Sequence, residues 1–579
     1  MFKTKSGPSL SFMDGAHPAP VFRIGVWLLA TAWVAVALNA VPWWVRADAH
    51  WGHQPLPWNW LGPLGEAFLV FGVTGLLFAL LMAVGKWPAR ISGVLLIVIS
   101  AAAAYFMTRY RVVIGYGVLN AVYTTDHDLS GEITGWWLFL WISLLGVLPA
   151  ALWWRRTNGP GIWAGLRHGA WIKSWCGVLC VSVVLAVVGH KVLDRARVVL
   201  AGQIAADTNY SGVTAHSYLP SNWVAGSALV LANRIKQAQD EARLQDPAKL
   251  HRFMPQADLN DAVVVMVIGE TTRSDRMGVL GHDRNTTPHL ASNPNAAVFA
   301  GWSCDTVTKL SLACMFVRPQ GIEPGRKGLP DRILEDNIFG VLKHLGFAVD
   351  LFAMQSEAGF YLKVRPDNIK VREVLAAQNE NAGKPLNDML LVPEVAQALK
   401  QRKGERRPHL IVLHTKGSHA MYSQRYPREF AKWQPECMNA DDFCDVQALF
   451  NAFDNSVLFV DHVLNELQKT LANRKALLIY TSDHGESIDE NQHFHATPRE
   501  IAPPEQRRVP LVFWASPTWR ADPVLGQRFD RLLQRAQQAK TRSVDDPSIG
   551  HHNIFASTLG CAGFDSPDGG IASELDLCH

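Results

Sequence analysis

Five apolar runs, near residues 21–43, 64–85, 90–107, 133–153 and 173–193, occupy the first third of this chain and leave little scope for a soluble fold there. A bilayer core about 30 Å thick is crossed by about 20 apolar helical residues, and each run reaches that length or, at 90–107, nearly so. As buried helices of a soluble protein they would make five consecutive core helices almost without a charged face. Five transmembrane helices over 1–193 are therefore expected. Charge is sparse up to about Leu193 and dense afterwards, so the average composition of the 579 residues conceals two unlike parts.

Short loops rich in Lys and Arg stay in the cytoplasm. Lys3, Lys5 and Arg23 precede or open the first run, Lys86 and Arg90 lie between the second and third, and Arg155, Arg156, Arg167 and Lys173 lie between the fourth and fifth. Everything after the fifth span then emerges on the opposite side, although Arg109 and Arg111 run against the asymmetry at the third. No cleavable leader is expected, because the first run lacks a small-residue cleavage site and further spans follow it.

Six of the eight cysteines, Cys304, Cys314, Cys437, Cys444, Cys561 and Cys578, fall in the exported part as sequence-local couples. An even number in an oxidising compartment reads as disulfides, with nearest-neighbour pairing the simplest connectivity. Cys176 and Cys180 lie within the fifth span and read as packing residues. No CxxC couple offers a cysteine zinc site, and a formal charge of +4 gives no reason to expect a nucleic-acid partner.

Between the third and fourth spans, NAVYTTDHDLSGE at 120–132 carries Asn120, Thr124 and Asp128 at helical spacing, which makes one polar stripe or, alternatively, a solvated loop face. Residues 194–255 are polar, with LANRIKQAQDEARL at 231–244 in helical rhythm. They read as a bridge along the membrane surface, with Arg195, Arg197, Arg234 and Lys236 toward anionic headgroups.

From 256 to 579 strand-like runs alternate with helical stretches, the pattern of an α/β domain with a mainly parallel sheet. The strand candidates are 263–269, 347–354, 410–415, 476–482 and 509–515. Ligands of such sheets gather beyond the carboxyl ends of the strands. Glu270 follows the first candidate, His414 and His419 end the third, Asp483 and His484 follow the fourth, and HFH lies at 493–495. Carboxylates and imidazoles converging there suit a divalent cation such as zinc. The loop CDTVTKLSLAC at 304–314 adds hydroxyls and Lys309. If it opens a helix near Thr306 to Ser311, its amides favour phosphate. A hydroxyl joining the cation becomes a competent nucleophile, because coordination eases loss of its proton. The residues alone leave Thr306, Thr308 and Ser311 as equal candidates, beside the plainer reading of a stapled loop with ordinary hydroxyls.

With five spans before them, VIGE at 267–270, CDTVTKLSLACMF at 304–316, HTKGSH at 414–419 and SDHGES at 482–487 resemble the bacterial phosphoethanolamine transferases that modify lipopolysaccharide. Members of that family join a five-helix membrane domain to an alkaline-phosphatase or sulfatase-like periplasmic domain. MQSEAGFY at 354–361, TPREIAPPEQ at 497–506 and the tail SPDGGI with its terminal Cys-His are similar to the branch that acts on Kdo-lipid A.

The resemblance implies specific roles. Thr308 matches the nucleophile and Thr306 a neighbouring hydroxyl. Glu270, Thr308, Asp483 and His484 match zinc ligands. His419 and His495 match histidines that assist the leaving group or hold a second metal, zinc or calcium. Lys309 would neutralise phosphate oxygens, and Asn120, Thr124 and Asp128 match a triplet that holds the phosphoethanolamine headgroup. A Cys304–Cys314 disulfide would fix the nucleophile loop. Two departures stand out: Asp128 replaces a Glu of the lipid A members, and Gln355, Ser356 and Glu357 occupy the neighbourhood where those members carry an Asn and a Lys.

The expectation is a monomeric, multi-pass protein of the bacterial inner membrane, with a transmembrane domain over 1–193, a bridge over 194–255 and a periplasmic catalytic domain over 256–579. It would transfer phosphoethanolamine from phosphatidylethanolamine to the Kdo region of lipid A through phospho-Thr308, release diacylglycerol and so favour resistance to cationic antimicrobial peptides. Alternatives are transfer to a lipid A phosphate or core heptose, a phosphoglycerol transferase or phosphodiesterase on the same scaffold, and a non-enzymatic membrane-anchored metal sensor. A sulfatase is disfavoured because CMFVR at 314–318 lacks the proline of the usual sulfatase motif.

Overall fold

The structure, a computed structural model, describes residues 21–579 apart from 113, 124–134, 201–209, 242, 326–330, 382, 384–385, 439–443, 489–492 and 540–542. Its contacts divide the chain into two compact units, Met1–Ala104 with Leu140–Ser221, and Tyr105–Phe139 with Asn222–His579.

The apolar runs are realised as helices. Trp58–Val84, Lys86–Arg109, Trp136–Arg156 and Gly169–Val199 are each long and apolar enough to cross a membrane, and Ile24–Ala37 with Ala40–Arg46 adds a fifth span if this pair, bent by 45°, counts as one. The bend has a local cause. Pro42 lacks an N–H and its ring crowds the carbonyl one turn earlier. The Asn39 side-chain amide then donates to the Val34 and Ala35 carbonyls at 3.1 and 3.2 Å. Trp58–Val84 and Gly169–Val199 pack through small residues, as membrane helices do when close backbone approach replaces a hydrophobic drive. A Cβ on Gly189 would lie 2.5 Å from the Leu69 nitrogen and 2.6 Å from the Gly65 carbonyl oxygen. Cys176 and Cys180, expected to pack inside, are exposed instead; facing lipid costs an apolar thiol little.

The second unit is built on a seven-stranded sheet. In chain order its strands are β1 (Val263–Gly269), β2 (Ala296–Trp302), β3 (Ala348–Ala353), β4 (Asn368–Val371), β5 (His409–His414), β6 (Ala476–Ser482) and β7 (Arg508–Ala515), arranged β2-β7-β6-β1-β5-β3-β4. Pairings from β6 through β4 are parallel, whereas β7 is antiparallel to both β6 and β2. Strands β1, β3, β5 and β6 are buried along their whole length, which is why they read as unbroken apolar runs. Alternate residues feed opposite layers. Val264, Met266 and Ile268 join Phe339 and Leu559 on one face, while Val263, Val265 and Val267 join Phe453 and Leu464 on the other. The edge strands β2 and β4 escaped sequence reading because β2 is only partly buried at Ala296, Ala300 and Trp302 and β4 has no buried residue.

Within this unit Asn120 lies buried on the helix Tyr116–Val122. That helix meets Ser221–Glu241: a Cβ on Gly226 would lie 2.5 Å from Leu119, and the Tyr123 and Ser227 hydroxyls are 2.9 Å apart. Thr124 and Asp128 lie outside the described residues. The nearest-neighbour disulfides Cys304–Cys314, Cys437–Cys444 and Cys561–Cys578 are all present.

Candidate metal and phosphoryl-transfer site

Because β6, β1 and β5 are neighbours running in one direction, their carboxyl ends emerge side by side. Glu270 follows β1, Asp483 and His484 follow β6, and the turn 414–419 follows β5. The helix Thr308–Cys314 brings Thr308 to them as its first residue, with Cys304–Cys314 closing the loop around it.

The Thr308 hydroxyl lies 3.2 Å from Glu270 Oε2 and 3.2 Å from His484 Nε2. His484 Nε2 in turn lies 3.3 Å from Glu270 Oε1 and 3.4 Å from Asp483 Oδ2. A tetrahedral cation with bonds of about 2.0–2.1 Å has ligand-to-ligand edges of roughly 3.3–3.4 Å, close to each of these contacts, and ligand atoms of Glu270, Asp483 and His484 all lie within 4.8 Å of one another. The donor set fits in two further respects. His484 Nδ1 lies 2.9 Å from the Gly485 carbonyl, so its proton sits there and Nε2 keeps a free lone pair. Asp483 Oδ2 is buried and makes no hydrogen bond of good geometry among the described residues. Such an orphaned acceptor is costly unless something positive meets it.

Electrostatics agree. Burial, then the Glu270 carboxylate beside it, push Asp483 up to about 7. Burial would raise Glu270 too, but His484 and His419 pull it below the usual carboxylate range. Two enclosed carboxylates crowd negative charge that a dication relieves.

Around this cluster stand the other candidates. His419 is buried, its Nδ1 has no partner among the described residues, and burial followed by Lys416 holds it well below the ordinary histidine value. The His495 ring lies 4.3 Å from that of His484 and 6.2 Å from that of His419, and its Nδ1 is 3.1 Å from Glu486 Oε1. His414 is not part of the cluster. Its Nδ1 lies 2.9 Å from the Tyr361 hydroxyl, its Nε2 lies 3.5 Å from Gln355 Nε2, and burial pushes it down to about 4.

Of the three loop hydroxyls that residue chemistry left equal, Thr308, to which the resemblance pointed, reaches the cluster. Thr306 donates to the Thr497 carbonyl at 2.6 Å and Ser311 to the Asp305 carbonyl at 3.1 Å, both buried within the loop's own support. Lys309 is the second residue of the helix.

Sequence reading missed the supports. Asp388 accepts the N–H groups of Lys416 and Gly417 at 2.7 and 2.9 Å and so shapes the 414–419 turn. Glu486 orients His495, while Thr271 and Gln355 donate to Glu270. Glu486, inside SDHGES, and Gln355, inside MQSEAGFY, lay within motifs that could have drawn attention to them, whereas Asp388 and Thr271 did not.

Comparison with known proteins gives one consistent result. Residues 262–564 match the Sulfatase family, and residues 71–196 match the family described as Phosphoethanolamine transferase EptA/EptB. The chain is 41% identical over 554 residues to a Kdo(2)-lipid A phosphoethanolamine 7''-transferase of Escherichia coli strain K12, covering 95% of this chain and 96% of that one. It is 26% identical to phosphoethanolamine transferase EptA of Salmonella typhimurium, covering 82% and 83%. Its fold matches the integral membrane lipooligosaccharide phosphoethanolamine transferase A of Neisseria meningitidis with a TM-score of 0.78 at 23% identity, over 96% and 98% of the two chains. The chain belongs to the phosphoethanolamine transferase family, as a multi-pass enzyme of the inner membrane with a sulfatase-type domain in the periplasm.

Proposed function

We propose that this enzyme takes phosphoethanolamine from phosphatidylethanolamine and delivers it to the Kdo region of lipid A in two displacements at Thr308, with zinc held by Glu270, Thr308, Asp483 and His484. The observation that carries this reading is the Thr308 hydroxyl 3.2 Å from both Glu270 and His484. Identity of 41% over nearly the full length to a relative named for Kdo(2)-lipid A, against 26% to an EptA, supports the Kdo acceptor over a lipid A phosphate.

A bound dication supplies two things at these donors: it lowers the pKa of the Thr308 hydroxyl and it offsets charge on the phosphoryl oxygens. In the first displacement Thr308 Oγ1 gives its proton to water and bonds to phosphorus, while the bond from phosphorus to the glyceryl oxygen breaks. His495, its Nδ1 held by Glu486, gives that oxygen a proton and diacylglycerol leaves. In the second, the acceptor sugar hydroxyl gives its proton to His495, its oxygen bonds to phosphorus, and Thr308 Oγ1 departs and takes back a proton from water. His419, neutral through burial, hydrogen-bonds to the phosphoryl group, and the Lys309 ammonium adds positive charge beside it. Asn120, Thr124 and Asp128 hold the ethanolamine end.

Intact-mass spectrometry of the purified protein with donor lipid tests the reading. A phosphoethanolamine adduct is expected on the wild type and not on Thr308→Ala. Full transfer by Thr308→Ala without any adduct would mean that acceptor attacks donor directly.

A further inference from the structure

Glu270 is gripped from outside by two residues to which the sequence assigned no part in holding it. Its Oε1 accepts the Thr271 hydroxyl at 2.7 Å, and its Oε2 accepts the Gln355 side-chain amide at 2.7 Å. Each carboxylate oxygen thus spends one lone pair on a fixed outer donor and turns the other inward, toward His484 from Oε1 and Thr308 from Oε2.

Both donors are themselves over-determined. Gln355 Nε2 also donates to the Thr415 carbonyl at 3.1 Å, and the Gln355 main-chain carbonyl accepts the Tyr361 hydroxyl at 3.0 Å. Thr271 is fully buried with φ of +62°, a left-handed conformation that is an outlier for a β-branched side chain. Such strain persists where surroundings impose it, and it clusters at functional sites. Here the strained backbone has two products. The Thr271 hydroxyl reaches Glu270, and the Thr271 N–H reaches Asp483 Oδ1 at 3.2 Å. One residue therefore orients both carboxylates of the cluster.

We infer that Thr271 and Gln355 form a donor clamp that positions the Glu270 carboxylate for the cation, and that both are positioning residues rather than catalytic ones. This rests on the reading of Glu270 as a metal ligand. The physical reason is that a carboxylate free to rotate loses binding energy in reordering, whereas one already fixed by outer donors does not. The Gln355 amide brings a donor without a charge, so it orders Glu270 without competing electrostatically with a cation.

The test uses the full-length protein in detergent, stripped of metal, with zinc affinity measured by competition against a chromophoric chelator. Loss of an outer donor typically weakens metal binding about 10–100-fold. Gln355→Met, which keeps the length and removes the donor, is expected to raise the zinc dissociation constant by that factor. Thr271→Gly is expected to do the same while leaving the melting temperature of the zinc-free protein unchanged or higher, since glycine accepts the left-handed backbone. A purely structural role predicts the reverse, a lower zinc-free melting temperature with zinc affinity intact. Unchanged zinc affinity in the two variants overturns the clamp. Should Gln355→Met fold poorly, Thr271→Gly decides. Glu270→Gln separates the two readings: if it too leaves zinc affinity unchanged, the ligand assignment falls, whereas if it alone weakens binding, only the clamp does.

Discussion

Gly417 and Glu270 meet backbone to backbone. A Cβ on Gly417 would lie 2.6 Å from the Glu270 carbonyl oxygen and 2.8 Å from its nitrogen, and Gly417 has φ of +52°. Space and conformation both demand glycine here. Gly417→Ala is expected to push the 414–419 turn away from β1, to weaken zinc binding and to reduce transfer at least about tenfold, the scale of outer-shell damage. Residual activity and zinc stoichiometry of the purified variant check this.

The disulfides should separate in their effects. Cys304–Cys314 closes a separation of 10 residues around Thr308, and Cys561–Cys578 closes 17 residues at the chain's end. Each closure is worth about 2–4 kcal/mol through the unfolded state. Paired serine substitutions are expected to lower the melting temperature in both cases. Only the loss of Cys304–Cys314 should also slow adduct formation, which rapid-quench mass spectrometry reads directly.

A different dependence is expected at low pH. Asp350 is buried, with His409 Nε2 at 2.8 Å and Arg402 Nη2 at 2.9 Å. Burial alone would raise its pKa, but the hydrogen bonds from His409 and Arg402 prevail and hold it at about 2. A depressed carboxylate stabilises the fold fully above its unfolded value of about 4, and that contribution is lost as pH falls toward about 2. Asp350→Asn should therefore be less stable than wild type at pH 5, with the gap closing between about pH 4 and 2 in fluorescence-monitored unfolding.

The membrane helices offer a contrast within one element. Gly189 lies against the backbone of the Trp58–Val84 helix, whereas a Cβ on Gly177, two turns or more away on the same helix, would meet nothing within 4 Å. Gly189→Leu should force the helices apart and cost about 3 kcal/mol or more through overpacking. Gly177→Leu should be neutral, as thermal-shift measurements on the two detergent-purified variants would register.

How much was legible in advance follows from burial. Strands β1, β3, β5 and β6 are buried on both faces and wrote themselves into the chain as apolar runs; the edges β2 and β4 are not, and left no such trace. Glu270, Asp483 and His484 stood out because they directly follow those runs. His414 also stood at a strand end, yet it turns to Tyr361 and Gln355 rather than to the cluster. Strand position constrains where a residue lies and not the side to which its ring points.

The sequence by itself determined the membrane spans, the α/β class, the disulfide couples and the residue types at the strand ends, because each depends on local pattern or on neighbours in the chain. Residue chemistry left three loop hydroxyls open and the family resemblance pointed to Thr308; tertiary structure alone decided how Thr308 faces the carboxylates and what holds Glu270 still. Thr308 and Glu270 are separated by 38 positions, Gln355 and Glu270 by 85, and Thr271 and Asp483 by 212. Contacts across such separations follow from strand order and from a strained peptide at Thr271, neither of which leaves a periodicity in the chain.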